Sequence, residues 1–355
     1  MLPLMKQPAV LAAFLLSVFL LSMGTTLLSA AGVGIPKKMP FGNKGSSFVG
    51  RWDITVNIPT AEYPDWLEVT GEGGELHARL QQRSGSVHPV LAVREEGGHL
   101  LLDISAATAT APAISWDLHR DGSRITGSLK RGDTVNGQID GTRAPKLLKK
   151  EPKAWSEPEE IFNGKDLTGW EPDNASKVHW VVKDGAILNE SGGANLKTLR
   201  KFQDFKLHVE FNCPELGNSG IYLRGRYEVQ VEYEKPGVED KFHEMGSIYG
   251  MLPPSTELPR KPGEWETFDI TLVGRYVTIV RNGVTTIDHQ EIPGITGGAL
   301  DSHEGMPGPF YLQGDHTGGM KFRNITVSVP VEAGKTKKEL KKAVGTGWGD
   351  PETKK

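Results

Sequence analysis

Residues 218–232 read Asn-Ser-Gly-Ile-Tyr-Leu-Arg-Gly-Arg-Tyr-Glu-Val-Gln-Val-Glu and alternate almost without a break. Ile221, Leu223, Tyr227, Val229 and Val231 fall on one parity. Tyr222, Arg224, Arg226, Glu228, Gln230 and Glu232 fall on the other. Period two predicts a β-strand with one buried face. The other face carries a row of polar groups capable of chemistry, and its plainer reading is an ordinary wet sheet face.

The rest of the chain supports an all-β reading. At 355 residues it is long enough for one large domain or two ordinary ones. Hydrophobic content of 37% with 43 Gly and 23 Pro favours many short strands joined by turns over long helices. A formal net charge of -3 gives no support for nucleic-acid binding. Cys213 is the single cysteine, so no internal disulfide and no cysteine-based zinc cluster can form. Between Phe211 and Pro214 it reads as a buried structural thiol rather than a nucleophile.

The N-terminus is a targeting segment. Lys6 supplies the positive start, 9–21 is an apolar run, and Ser29-Ala30-Ala31 offers small residues for cleavage before Gly32. Residues 1–31 are therefore expected to be a secretory signal peptide. The mature chain would be exported, periplasmic or extracellular, with no stable membrane insertion. An uncleaved anchor is the alternative, because the apolar region reaches about 20 residues, enough to span a bilayer. With no cysteine near the cleavage site, a lipid-anchored form is excluded.

A Gly, Lys and Pro-rich spacer follows over 32–45. A first folded unit is expected over 46–144, with strands at 48–58, 66–69, 75–82, 89–94, 99–104, 114–118 and 124–129. Turn signals at Glu96-Gly97-Gly98, Asp121-Gly122 and Arg131-Gly132-Asp133 separate them. Such spacing predicts a small antiparallel barrel or sandwich. The charged, Pro-containing stretch 145–160 reads as an exposed, semi-extended linker. A larger unit spans 161–330, with hairpin chemistry at Lys183-Asp184-Gly185 and Arg281-Asn282-Gly283. The tail 331–355 is Lys-rich, and solvation is the simple account of its charges.

Several phrases of this larger unit fall in a recognisable order. They include Phe162-Asn163-Gly164-Lys165-Asp166-Leu167-Thr168-Gly169-Trp170, Trp180-Val181-Val182-Lys183-Asp184-Gly185 and Asn218-Ser219-Gly220-Ile221-Tyr222-Leu223-Arg224. Tyr227-Glu228-Val229-Gln230, Ile248-Tyr249-Gly250, Pro262-Gly263-Glu264-Trp265, Leu312-Gln313 with His316, and Phe322-Arg323-Asn324-Ile325 follow. Together, residues 161–329 resemble the 3-keto-disaccharide hydrolase family. The resemblance implies a concanavalin-like jelly-roll sandwich behind the small β unit. It also implies cleavage, by hydrolysis or elimination, of glycosides whose sugar carries a ketone at C3. A carbohydrate would be the partner; the oligomeric state stays open.

The residues bear on that chemistry directly. Glu228-x-Gln230-x-Glu232 has the spacing of the Glu-x-Asp-x-Glu signature of laminarinase-like glycosidases, but Gln230 replaces its Asp. A neutral amide cannot keep Glu232 protonated by like-charge coupling, which argues against an ordinary glucanase. A 3-keto sugar has an acidified C2 proton, so one base and several donors for an enolate suffice. The base candidates are Glu228, His316 and His243. Of these, Glu228 and His316 are the catalytic expectation, while His243 reads first as a histidine of a charged loop. Asn218, Arg224, Gln230 and Gln313 are the donors. Arg224, Glu228 and Gln230 are expected on one strand face, although a surface ion pair accounts equally for Arg224 and Glu228. Tyr249 and Trp265 complete the substrate-binding candidates, Trp265 by stacking on a sugar ring, with a core or rim role as its default.

A divalent metal such as calcium is compatible with the fold, and Asp301, His303, Glu304, Asp315 and His316 cluster late in the chain. They show no ligand spacing of a known site, so the metal question stays open. Dinucleotide and phosphate-loop fingerprints are missing, so no nicotinamide or phosphate cofactor is expected and the ketone would come from a separate oxidoreductase. The competing reading is a non-catalytic, lectin-like module that binds a glycan or a protein.

Overall fold

The computed structural model describes residues 45–331, apart from 84, 236, 238, 239 and 315. The expected signal peptide, the expected spacer 32–45 except Gly45, and the tail beyond residue 331 lie outside the described residues. Among the described residues no helix is long and apolar enough to cross a membrane.

The first sheet has nine antiparallel strands, from Gly50–Ile58 to Thr134–Arg143. It is a meander whose first and last strands pair, Trp52 opposite Arg143 and Asn57 opposite Gln138. Its two edge strands are Val87–Pro89 and Ala92–Glu96, consecutive in the chain. Between them Val90 N donates to Ala78 O and Leu91 N to Asp103 O, both at 2.9 Å. The chain thus steps from one edge of the sheet to the other and closes it into a barrel, which removes free edges. Trp52, Ile54, Val56, Leu67, Val69, Leu100, Leu102, Trp116, Leu118 and Ile125 fill the interior. The strand Thr134–Arg143 was not expected. Its Gly137 and Gly141 weaken the sequence signal, yet both face places where a Cβ would crowd a neighbouring strand.

The second unit is a two-sheet jelly-roll sandwich. One sheet runs, in spatial order, through Trp180–Lys183, Ala186–Asn189, Lys321–Ser328, Phe205–Asn212, Trp265–Val273, Tyr276–Arg281 and Val284–Glu291. The other orders Trp170–Pro172, Leu196–Thr198, Tyr311–Leu312, Asn218–Leu223 and Tyr227–Glu232. Between them lie Leu207, Val209, Phe211, Phe268, Ile270 and Phe322 from the first sheet and Ile221, Leu223, Val229 and Val231 from the second. Phe211 and Phe268 stack at 4.6 Å. Burying each such side chain contributes about 1.5–3 kcal/mol. Cys213 is buried beside this core, where desolvation pushes its thiol up to about 12, as befits a structural thiol.

Residues 218–232 are therefore not one strand but a hairpin. Arg224 and Gly225 both adopt left-handed backbone, at φ 56° and 67°, and Arg226 N bonds Leu223 O at 3.1 Å. Three turn residues leave the parity intact, which is why the alternation reads through the turn as if it were absent.

The barrel packs against the sandwich through the outward parity of its strands. Thr55 Oγ1 bonds Ser302 Oγ at 2.7 Å, and Trp66 joins the sandwich core. Asp53 hydrogen-bonds Glu304, which accepts from Arg275 Nη2 and from the Tyr227 hydroxyl, each at 2.7 Å. Burial first, then the Glu304 charge, pushes the Asp53 carboxyl up to about 10. The linker is pinned as well: Pro145 O accepts from Arg275 Nη2 at 2.8 Å, and Lys149 pairs with Asp204 at 2.8 Å.

Candidate active site

The hairpin Asn218–Leu223 and Tyr227–Glu232 sets Tyr222 opposite Glu228, Gly220 opposite Gln230, and Asn218 opposite Glu232. These six share one face, turned away from the sandwich core. Tyr311 lies beside Tyr222 on the neighbouring strand, and their rings stack at 4.3 Å. Gln313 follows, tied in by its N–H to Gly220 O at 2.9 Å and by its side-chain amide to the Tyr222 hydroxyl at 3.5 Å.

Glu228 is the centre of this face. It is 2% exposed, and its Oε2 lies 2.8 Å from the Tyr222 hydroxyl, which is also 2.8 Å from Gly297 O. The carboxylate lies across Gly220, where any Cβ would run into Glu228 Oε1. Glycine at 220 is thus a requirement of close approach. Its backbone is held from the other side, Glu228 N donating to Thr296 Oγ1 at 3.0 Å and Glu228 O accepting from Tyr249 N at 3.1 Å.

Gln230 donates its amide to Glu232. Burial raises the Glu232 carboxyl; hydrogen bonds from Gln230 and Asn218 offset part of that rise, and nearby Glu234 adds to it. The amide oxygens of Gln230 and Gln313 are buried and have no protein partner. Beyond Glu232 opens a cavity of about 200 Å³, lined in part by Glu232, Tyr233, Glu244, Met245 and Arg260. The site thus combines one buried carboxylate, a second carboxyl of raised pKa, two tyrosines, and amides with open acceptors.

Of the residues expected from sequence, Asn218, Glu228, Gln230 and Gln313 are brought together, with Tyr249 at the edge. His316 is exposed, in the loop at the Asn218 end of the face; its neighbour Thr317 Oγ1 accepts from Asn218 N at 2.8 Å. Arg224 is not on this face, because the turn reverses it. Its guanidinium is fully buried 5.0 Å from the Tyr227 ring and bonds the Tyr227 hydroxyl at 3.3 Å. Trp265 is also elsewhere: it starts a strand of the other sheet, where Arg323 stacks on it at 3.8 Å. Residues the sequence reading passed over are Tyr311 and Thr296, which carry no motif, and Tyr222, which its parity already placed on this face.

Of the metal candidates, Asp301 accepts from Arg226 Nε at 2.8 Å and Glu304 is paired with Arg275. Asp315 lies outside the described residues. Among the described residues no group of three or more His, Cys, Asp and Glu is arranged to hold a metal ion.

Residues 157–328, just under half of the chain, match the family described as 3-keto-alpha-glucoside-1,2-lyase-like domain. The barrel lies outside the match. A curated relative from Bacteroides thetaiotaomicron, named 3-keto-disaccharide hydrolase, is 24% identical over 229 residues, covering 48% of this chain and 77% of the relative. Two candidate glycosyl hydrolases of known structure from Parabacteroides distasonis are also similar. One is 30% identical, covering 51% of this chain and 92% of its own, at a TM-score of 0.43. The other is 22% identical, covering 52% and 98%, at a TM-score of 0.40.

Proposed function

We propose that the protein is an exported carbohydrate-active enzyme that cleaves 3-keto-glycosides at the Glu228 face, by hydrolysis or by base-catalysed elimination. The observation that carries this reading is the buried Glu228 carboxylate, held by Tyr222 and flanked by two amide oxygens without protein partners. Buried acceptors of that kind cost free energy unless a ligand donates to them, and sugar hydroxyls are suitable donors. The match of residues 157–328 to the lyase-like family and the name of the Bacteroides relative support the same substrate class.

In the elimination branch Glu228 takes the proton from C2. The electron pair of that C–H bond passes through the enolate of the C3 ketone and becomes the C1=C2 double bond as the C1–O bond breaks. The leaving oxygen takes up one proton, and water adding across C1=C2 yields the free 3-keto sugar. Gln230, Gln313 and Asn218 would orient the ring hydroxyls and stabilise the enolate oxygen. The ketone arrives on the substrate, so no resident nicotinamide is invoked.

Incubation of the mature protein with a 3-keto-disaccharide, with and without added divalent metal or a chelator, tests the reading by following the released sugar. An unsaturated keto sugar among the products identifies elimination. Absence of release from several such substrates overturns the reading, and glycan binding without turnover would then support a lectin-like module.

A further inference from the structure

The barrel touches the sandwich beside the Glu228 face as well. Between Glu75–Gln81 and Val87–Pro89 its chain crosses to the edge of the Glu228 face, where Ser86 Oγ lies 2.5 Å from His243 Nε2. The other ring nitrogen, Nδ1, lies 2.9 Å from Asp240 Oδ2. With its Nδ1–H given to Asp240, the ring presents the Nε2 lone pair to the Ser86 hydroxyl. This is a hydroxyl–imidazole–carboxylate chain, the arrangement by which a histidine is fixed in one tautomer for proton transfer.

The chain continues toward Glu228. The His243 ring packs against the Tyr249 ring at 4.7 Å between centroids. The Tyr249 hydroxyl faces the same Ser86, and the charges of Glu228, Glu232 and Asp240 act on it. Backbone contacts hold the barrel's side of this junction in place. Arg83 N donates to Asp65 Oδ1 at 2.5 Å, and Gly298 N donates to Arg83 O at 2.8 Å. Gly250, at φ 67°, passes so close that a Cβ there would sit 3.3 Å from Ser86 Cα. Docking alone would account for one interdomain hydrogen bond, but not for a carboxylate behind the ring and a second hydroxyl converging on the first.

We propose that Ser86, carried by the barrel, is a positioning residue of the jelly-roll site, holding His243 and Tyr249 as a proton relay beside Glu228. The proposal rests on the 3-keto-glycoside reading above. In the elimination, Glu228 gains the C2 proton while the leaving oxygen takes one from solvent. As water adds to C1, one of its protons moves to the Tyr249 oxygen and the surplus proton passes by way of Ser86 to the Nε2 lone pair of His243; His243 gives that proton up to solvent, and Glu228 returns the C2 proton to C2. The barrel, which lies outside the family match, would then complete the active site rather than decorate it.

The test uses the full protein with Ser86→Ala, Ser86→Thr and the exposed barrel control His88→Ala. Ser86→Ala should lower kcat on a 3-keto-disaccharide roughly tenfold to a hundredfold, within the range of a lost proton-transfer path. KM should stay within about twofold, and the pH profile should change as it does in His243→Gln. Ser86→Thr should restore the rate, and His88→Ala should match the wild type. Nitrogen-15 shifts of the His243 ring provide a second readout that needs no turnover. A Ser86→Ala protein with wild-type rate, pH profile and ring shifts overturns the proposal. If the wild type releases no sugar, the 3-keto reading falls, and the ring shifts alone decide the positioning: a changed tautomer signal supports it and an unchanged one overturns it.

Discussion

Asp53→Asn should flatten the dependence of stability on pH. Asp53 is 4% exposed where the barrel meets the sandwich, and it shares a hydrogen bond with Glu304. Burial and the Glu304 charge raise its carboxyl from 3.8 to about 10, against smaller opposing contributions from Arg275 and Arg226. Over most of that interval the folded protein holds a proton on Asp53 that the unfolded chain has released. Folding therefore takes up one proton, and stability falls as pH rises, by about 1.4 kcal/mol per unit. Below the unfolded value the stabilisation is fully present, and it is lost as pH rises through the folded one. From pH 5.5 to 7.5 the loss from this residue is about 3 kcal/mol. An asparagine amide can donate to Glu304 as the protonated carboxyl does, but it does not titrate. Urea unfolding at both pH values, read from midpoints at unchanged m, should show the variant losing about 3 kcal/mol less than the wild type across the interval. Parallel pH dependences for the two proteins would refute the assignment of the proton to Asp53.

Three further outcomes follow from the site. Glu228→Gln should cut sugar release from a 3-keto-disaccharide by roughly a hundredfold or more with little change in Tm; full activity would move the base elsewhere, first to His316. Gly220→Ala should displace the Glu228 carboxylate, lowering both activity and stability, the latter by about 1–3 kcal/mol as for overpacking, measurable by thermal unfolding beside the rate assay. Cys213, buried and with its thiol raised, should resist a thiol reagent at neutral pH in the folded protein and react fully once denaturant is added.

The alternation of 218–232 was enough to place Glu228, Gln230 and Glu232 on a common face, because parity survives a three-residue turn. It could not reveal the turn itself. Arg224 supplies the lesson: an arginine in left-handed backbone is uncommon, so a reading of parity alone keeps it in the strand. Once Arg224 and Gly225 reverse the chain, the arginine leaves the polar row and enters the opposite layer beside Tyr227. Trp265 was misplaced for a different reason. A tryptophan near a Gly-rich turn has no local signal that tells which of two sheets its strand joins.

Ser86 shows what no stretch of sequence could show. It is separated from His243 by more than 150 positions, and nothing in its neighbours marks it as functional. What brings the two together is the outward parity of the barrel strands. Trp66 turns away from the barrel and into the sandwich core, against Gly294, where there is no room for a Cβ. Asp65, its neighbour on the inward parity, accepts the Arg83 N–H and so anchors the chain that leads to Ser86. Removing the Trp66 ring should therefore do more than empty a core position, a loss of about 3–5 kcal/mol in itself. It should loosen the junction that carries Ser86, so that Trp66→Phe, which keeps much of the apolar volume, loses less activity than Trp66→Ala. Equal activity in the two variants, measured where both remain folded, would show that the site does not depend on how the barrel is seated.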